Sequence, residues 1–402
     1  MSRIIDVLGC IRLDLIMGVA LSTILIGGCS SSPKKPEIDQ AKIRQFASRG
    51  YDSGTEYATS ITKSSLNTGN GFRPITIIQP SRDGKYPLVI YLPGLGESSD
   101  AGADIRNAWA RSGYVVLSIQ PLEDDENVWS SKAARSADFT YIRHERYSSE
   151  VISERLNILT KLIEHLKQRV ASGDSSLQHM DLSRIAVVGF DVGASSAMIV
   201  AGEDVPSITV LPVQVNGVIA LSPYAEFSSE EFNERYRNIN IPVLSITSDA
   251  DSDTHGSVPP SLHQAPFQYM PSGNKYLLLL AGASHSVIGD DNSAKTDSAD
   301  GDGNEKQTRN GSTGGNSGKG QRGNRHGRKS SDGGSGFERG SERLSKREAG
   351  GSPTQRATMK VAIEQVTTAF LNAHIKDDKY SQEWLKKDAQ PWLDKIGQLK
   401  EK

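Results

Sequence analysis

Residues Gly189-Phe190-Asp191-Val192-Gly193 constrain the fold of this chain more than any other segment. They follow an apolar run, Arg184-Ile185-Ala186-Val187-Val188, and precede a run of small residues from Ala194 to Ala201. That order predicts a strand, a tight turn and a helix. Glycine reaches backbone conformations closed to other residues and lets chain segments approach closely. A glycine on each side of one polar residue permits a strained turn that thrusts Asp191 out of a sheet.

Further strands are predicted around this turn. Tyr57 to Thr62, Phe72 to Ile78, Leu88 to Leu92, Tyr114 to Ile119, Val218 to Leu221, Val243 to Ile246 and Tyr276 to Leu280 are apolar or β-branched runs with turn signals between them. Pro74 predicts an edge position for the second run. The near-continuous apolar third run fits a strand buried on both faces. Val151, Leu156, Leu159, Leu162, Ile163 and Leu166 have helical spacing, with Ser149 as the expected cap. Ser352-Pro353 signals a second long helix start, and Met359, Ala362, Ile363, Val366 and Phe370 fall on one face of it. Strands alternating with helices predict an α/β protein with a mostly parallel eight-stranded sheet and helices on both faces.

The 402 residues carry 23% charged side chains and a formal net charge of −2, which gives no footprint for nucleic acid. The cysteines, Cys10 and Cys29, are both near the N-terminus, so no disulfide framework holds the body. Residues 15–28 form an apolar run too short to span a bilayer core but suited to a signal peptide. Its end, Ile26-Gly27-Gly28-Cys29, resembles a bacterial lipobox. The resemblance implies cleavage after residue 28, acylation of Cys29, and sorting to the outer membrane with the body facing the periplasm. Residues 29–50 then read as a tether and 51–288 as the main domain. Residues 289–353 are rich in Gly, Ser and charge and poor in large apolar groups. Such a composition predicts a disordered insert, with 354–395 completing the domain.

Four signals appear in a telling order. Leu92-Pro93-Gly94-Leu95-Gly96 follows the third strand, and the turn at Asp191 follows the fifth. Ile246-Thr247-Ser248-Asp249-Ala250-Asp251 ends the seventh strand, and Ala281-Gly282-Ala283-Ser284-His285 follows the eighth. This arrangement resembles the α/β-hydrolase fold, and most closely its compact dienelactone-hydrolase and platelet-activating-factor-acetylhydrolase type, without a large cap domain. The chain order nucleophile, acid, histidine agrees with that superfamily.

The resemblance implies a role for each part. Asp191 stands where the superfamily usually has a serine nucleophile. His285 would be the base, because an imidazole titrates near working pH. The acid that orients it comes from Asp249, Asp251 or Asp253, of which Asp251 best matches the superfamily position. Backbone N–H groups of Leu95 and Val192 would form an oxyanion hole. A carboxylate is ionised at neutral pH without a base, and haloalkane dehalogenases and epoxide hydrolases use aspartate at this turn. The expected function is hydrolysis of a small ester-like, epoxide or halogenated substrate. The alternative is a binding or scaffold lipoprotein that keeps the fold without turnover. Dehalogenases often place Trp beside the nucleophile, where this chain has Val192. Tyr224 and Tyr236 lie between the sixth and seventh strands, and Trp109 and Trp129 read as core residues.

Other signals carry less. Asp300 to Glu305 lacks the glycine and twelfth-position acid of a calcium loop. The Arg/Gly run 321–329 reads as a solvated spacer. No Walker loop, dinucleotide fingerprint or zinc cluster appears, so neither cofactor nor metal is expected. Ser195 and Ser196 lie past the turn, and His255 reads as a loop residue.

Overall fold

A computed structural model of the chain describes residues 37–68, 71–208, 213–224, 232–252, 258–290 and 351–402. The expected signal peptide, Cys29, Asp253, His255 and all but the ends of the 289–353 insert lie outside these residues. None of the described helices is long and apolar enough to cross a membrane.

The described residues form an α/β structure around one mixed sheet. Its strands are β1 (Thr59–Asn67), β2 (Phe72–Pro80), β3 (Tyr86–Leu92), β4 (Val115–Ile119), β5 (Met180–Phe190), β6 (Gly217–Leu221), β7 (Val243–Ser248), β8 (Lys275–Leu280) and β9 (Gly397–Glu401). They lie in the order β1-β2-β4-β3-β5-β6-β7-β8-β9. The strands from β4 to β8 run parallel, while β1 and β2 at one end and β9 at the other pair antiparallel.

Two expectations are corrected here. The sheet has nine strands, not eight. The ninth, Gly-Gln-Leu-Lys-Glu, has no β-branched or aromatic residue, and its pairing with β8, from Gly397 opposite Leu280 to Glu401 opposite Tyr276, makes it a strand. In addition, β2 is not an edge strand, since β1 and β4 flank it. Pro74 is tolerated because the ladder to β4 begins one residue later, at Ile75.

Period-two alternation sorts the sheet's side chains into two cores. On one face Val89, Tyr91, Val188 and Leu278 pack with α1 (Gln40–Ala47), α2 (Ala103–Arg111) and the C-terminal helices. On the other, Leu88, Ile90, Leu92 and Val187 pack with two further helices. These are α4 (Ser149–Ala171), preceded by the shorter α3 (Phe139–Arg146), and α5 (Val192–Ala201). The cap of α4 is Ser148, one residue before the expected serine, and its Oγ accepts from Val151 N at 3.4 Å.

After β8 comes the short α6 (His285–Ile288), and α7 (Pro353–Ile375) begins beyond the insert. Ser352 caps α7 by accepting from Gln355 N. Met359, Ala362, Ile363, Val366 and Phe370 are all buried, and each of the larger ones contributes ~1.5–3 kcal/mol. Two more helices, α8 (Lys379–Lys387) and α9 (Ala389–Leu393), bring Trp384 and Trp392 to a centroid distance of 5.6 Å. Trp392 also stacks on Phe46 of α1 at 4.4 Å, and its Nε1 donates to Phe46 O. Packed chain therefore begins by residue 40, inside the segment expected to be a tether.

Candidate active site

The parallel strands all point their C-terminal ends to one edge of the sheet, where the connecting loops converge. β5 stands at the centre of the strand order, and Asp191 follows its last residue. Its backbone has φ 53° and ψ −115°, a strained conformation for a residue with a side chain. Both glycines of the turn are required by close approach. A Cβ on Gly189 would lie 2.0 Å from Gly193 O, and one on Gly193 would lie 2.1 Å from Leu92 O. Helix α5 thus begins directly against the ends of β5 and β3.

The loop after β3 carries Leu95, whose N–H donates to Asp191 Oδ2 at 3.1 Å. That loop is held from several sides. Gly94 N donates to Glu97 Oε2 at 2.7 Å, Gly96 N to Asp125 O at 2.8 Å, and Gln120 Nε2 to Gly94 O at 2.9 Å. Beneath it a buried ion pair joins Asp125 to Arg155 through bonds of 2.6 and 2.8 Å. Val192, the second expected donor, opens α5, and a first-turn N–H has no acceptor within its own helix.

The other oxygen, Oδ1, accepts a hydrogen bond from the Tyr147 hydroxyl. Tyr147 lies between α3 and α4 and packs edge-on against Tyr224, with centroids 5.3 Å apart. Burial, the neighbouring Asp191 charge and Tyr224 push its phenol well above the usual tyrosine range, so it stays a protonated donor.

His285 opens α6 and rests on Phe190, with ring centroids 4.7 Å apart. Its Nδ1 lies 2.8 Å from Asp251 Oδ1, and its Nε2 lies 4.0 Å from Asp191 Oδ1. The second distance exceeds hydrogen-bond reach.

Asp251, just beyond β7, is fully buried. Its Oδ2 accepts from Ser222 Oγ at 2.7 Å and from Thr247 Oγ1 at 2.8 Å. Burial raises the Asp251 carboxyl, but His285, His263 and the Ser222 hydroxyl together outweigh it and hold the group below the usual carboxylate range. Asp249 is elsewhere, with Oδ1 accepting from Gly282 N at 2.7 Å, and so ties two loops together.

The structure therefore brings Asp191, His285, Asp251 and Leu95 together. Four contributors escaped the sequence. Ser222, at φ 55°, directly follows β6 and also lies 3.0 Å from His285 Nδ1. Thr247 is a polar residue at a strand end, a signal that could have been read beside Asp251. Buried His263 lies 2.9 Å from Pro223 O through Nδ1 and 4.0 Å from Asp251 Oδ2. Tyr147 has no local signature at all. Of the expected core residues, Trp109 is buried, whereas Trp129 is 38% exposed beside Gly96. Among the described residues, no three His, Cys, Asp or Glu side chains are arranged to hold a metal ion.

No protein-family model matches the chain, and no curated protein matches it either.

Proposed function

We propose that the protein is an α/β-hydrolase-fold enzyme, exported and lipid-anchored through Cys29 on the periplasmic side of a bacterial outer membrane. It hydrolyses a small apolar substrate through a covalent ester on Asp191. The observation that carries this reading is the placement of one carboxylate. Oδ2 takes the Leu95 N–H at 3.1 Å, and Oδ1 lies 4.0 Å from an imidazole whose other nitrogen is bonded to Asp251.

In the first step Oδ1 attacks a saturated carbon and breaks its bond either to a halide, which leaves as the anion, or to an epoxide oxygen, which stays on the neighbouring carbon and takes a proton from solvent, forming an alkyl ester. In the second, His285 takes a proton from water, which adds to the Asp191 carbonyl carbon. Asp251 stabilises the imidazolium, while the Leu95 N–H stabilises the charge that develops on Oδ2. Because Oδ2 itself holds that donor, the hole is not free for a substrate carbonyl. Within the expected substrate range, this favours an epoxide or a halogenated compound over an ester.

The test is direct. Turnover on an epoxide or haloalkane panel is expected to vanish in Asp191→Asn, while His285→Gln accumulates a covalent adduct on Asp191 visible by mass spectrometry. A second reading, a scaffold without turnover, draws on the 11% exposure of the Asp191 side chain and the engagement of both its oxygens. It gains if wild type is inert on ester, epoxide and haloalkane panels while Asp191→Ser acquires esterase activity. For the anchor, palmitate labelling is expected to disappear in Cys29→Ala, and labelling that persists refutes it.

A further inference from the structure

We propose that Tyr147 is the general acid of the second half-reaction, giving its hydroxyl proton to Asp191 Oδ1 as that atom departs with the product alcohol. The inference rests on the reading of Asp191 as nucleophile and adds a catalytic group to it.

The two carboxylate oxygens have different fates. Oδ1 becomes the ester oxygen. When water adds to the carbonyl carbon, Oδ2 carries the developing charge. Collapse of the tetrahedral intermediate breaks the bond from that carbon to Oδ1, and the electron pair leaves on Oδ1. The side chain bonded to Oδ1 in the resting enzyme is Tyr147, through its hydroxyl. His285 Nε2, which carries a donor proton once it has taken one from water, lies 4.0 Å from the same atom, beyond hydrogen-bond reach.

Tyr147 is not placed to assist the first step. In-line displacement sends the leaving group to the side of the carbon opposite Oδ1, away from a donor bonded to Oδ1. In the second step the departing atom is Oδ1 itself. A phenol is intrinsically a stronger acid than an ordinary alcohol. In the resting enzyme burial and then the Asp191 charge raise the phenol and hold its proton on the ring, and esterification of Asp191 removes the second of these causes before the alkoxide forms.

The protons balance. His285 takes one from water, Tyr147 gives one to Oδ1, and the Tyr147 phenolate regains one from the His285 imidazolium through solvent. The new carboxylic acid on Asp191, formed from Oδ2 and the water oxygen, ionises and restores the resting carboxylate.

The experiment follows the adduct by rapid-quench mass spectrometry of the full-length protein, using 1-bromobutane and phenacyl bromide as probes. Tyr147→Phe keeps the ring that packs on Tyr224. It is expected to alkylate Asp191 within a few fold of the wild-type rate and then accumulate the butyl ester, whose hydrolysis slows ~10²–10³-fold. The phenacyl ester, which releases a more acidic alcohol, is expected to be slowed much less. Equal slowing of both esters, or none, overturns the proposal. His285→Gln separates the two levels. If it traps the adduct on Asp191 while Tyr147→Phe hydrolyses normally, only the acid assignment fails. If neither variant nor wild type forms an adduct with either probe, the Asp191 reading fails with it.

Discussion

Replacing Asp251 by asparagine probes the site with almost no change of shape. The side chain is fully buried, with Oδ1 on His285 Nδ1 and Oδ2 shared by Ser222 and Thr247. An amide keeps one acceptor oxygen and presents an NH2 in place of the other. Imidazole Nδ1–H can accept a hydrogen bond only by changing tautomer, whereas a hydroxyl can rotate and accept. The substituted amide is thus expected to turn its oxygen to His285 and its NH2 to the two hydroxyls. Bonds to a charged group contribute ~1.5–3 kcal/mol and neutral ones ~0.5–1.5, so converting three of them costs about 3–4.5 kcal/mol. Urea unfolding at neutral pH reads that loss. Asp251 lies below the unfolded carboxylate value of 3.8, so its contribution is full above that pH and is lost as pH falls through the folded value. This acid limb is expected to be missing from the variant. In the reaction, alkylation of Asp191 needs no base and is expected to persist. Hydrolysis of the adduct is expected to fall, because a neutral amide cannot stabilise the imidazolium as the carboxylate does. Wild-type hydrolysis in this variant, or an equal loss in Asp249→Asn, refutes the assignment of Asp251.

Other perturbations test the supporting structure. Gly189→Ala sets a Cβ 2.0 Å from Gly193 O and 2.2 Å from Gly193 C, both backbone atoms that cannot rotate away. It is expected to cost at least ~3 kcal/mol in urea unfolding, and wild-type stability contradicts the close-approach argument. Asp125→Leu strands the buried Arg155 guanidinium and is expected to cost ~3–5 kcal/mol, while the double variant with Arg155→Met recovers most of it. No recovery in the double variant shows that the pair was not the source of the cost. Burial and then Lys275 bring His374 down from 6.5 to about 4, against the opposing pull of Asp377. The unfolded state takes up a proton first, so stability present above pH 6.5 is lost by ~2–3 kcal/mol as pH falls toward 4. His374→Leu is expected to flatten that slope in melts across the range, and an unchanged slope assigns it to other groups.

Legibility followed the reach of each cause. The turn at Asp191 was readable because glycine spacing and the flanking runs act within a dozen residues. The cap of α7 and its buried face were readable for the same reason, since Ser352-Pro353 and the spacing from Met359 to Phe370 are local. β9 was not, because only β8 makes Gly397–Glu401 a strand. The edge position read from Pro74 failed because a strand may lie beside a proline when its ladder stops short of it. Within the site, the choice among Asp249, Asp251 and Asp253 needed the tertiary structure, which places Asp251 on His285 and Asp249 on Gly282. Tyr147 was beyond reach. The contact that matters joins it to a residue 44 positions away, and nothing adjacent to it in sequence marks it.

The identity of the residue at the apex decides which reaction such a site can run. A serine there must lose a proton before it attacks, so it needs the imidazole within hydrogen-bond reach and leaves the Leu95 N–H open for a substrate carbonyl. Asp191 reverses both conditions. A carboxylate in general needs no base before it attacks, and the second oxygen of Asp191 reaches the Leu95 N–H that a substrate would otherwise occupy. Under the proposed mechanism the 4.0 Å gap to His285 Nε2 is no defect, because the base would act only after the ester exists and on water rather than on the nucleophile. The same gap leaves Oδ1 without a proton donor among the triad members when it departs. Among the described residues Tyr147 is bonded to that oxygen through a hydroxyl, so the proposed acid and the serine-to-aspartate difference form one chemical argument rather than two.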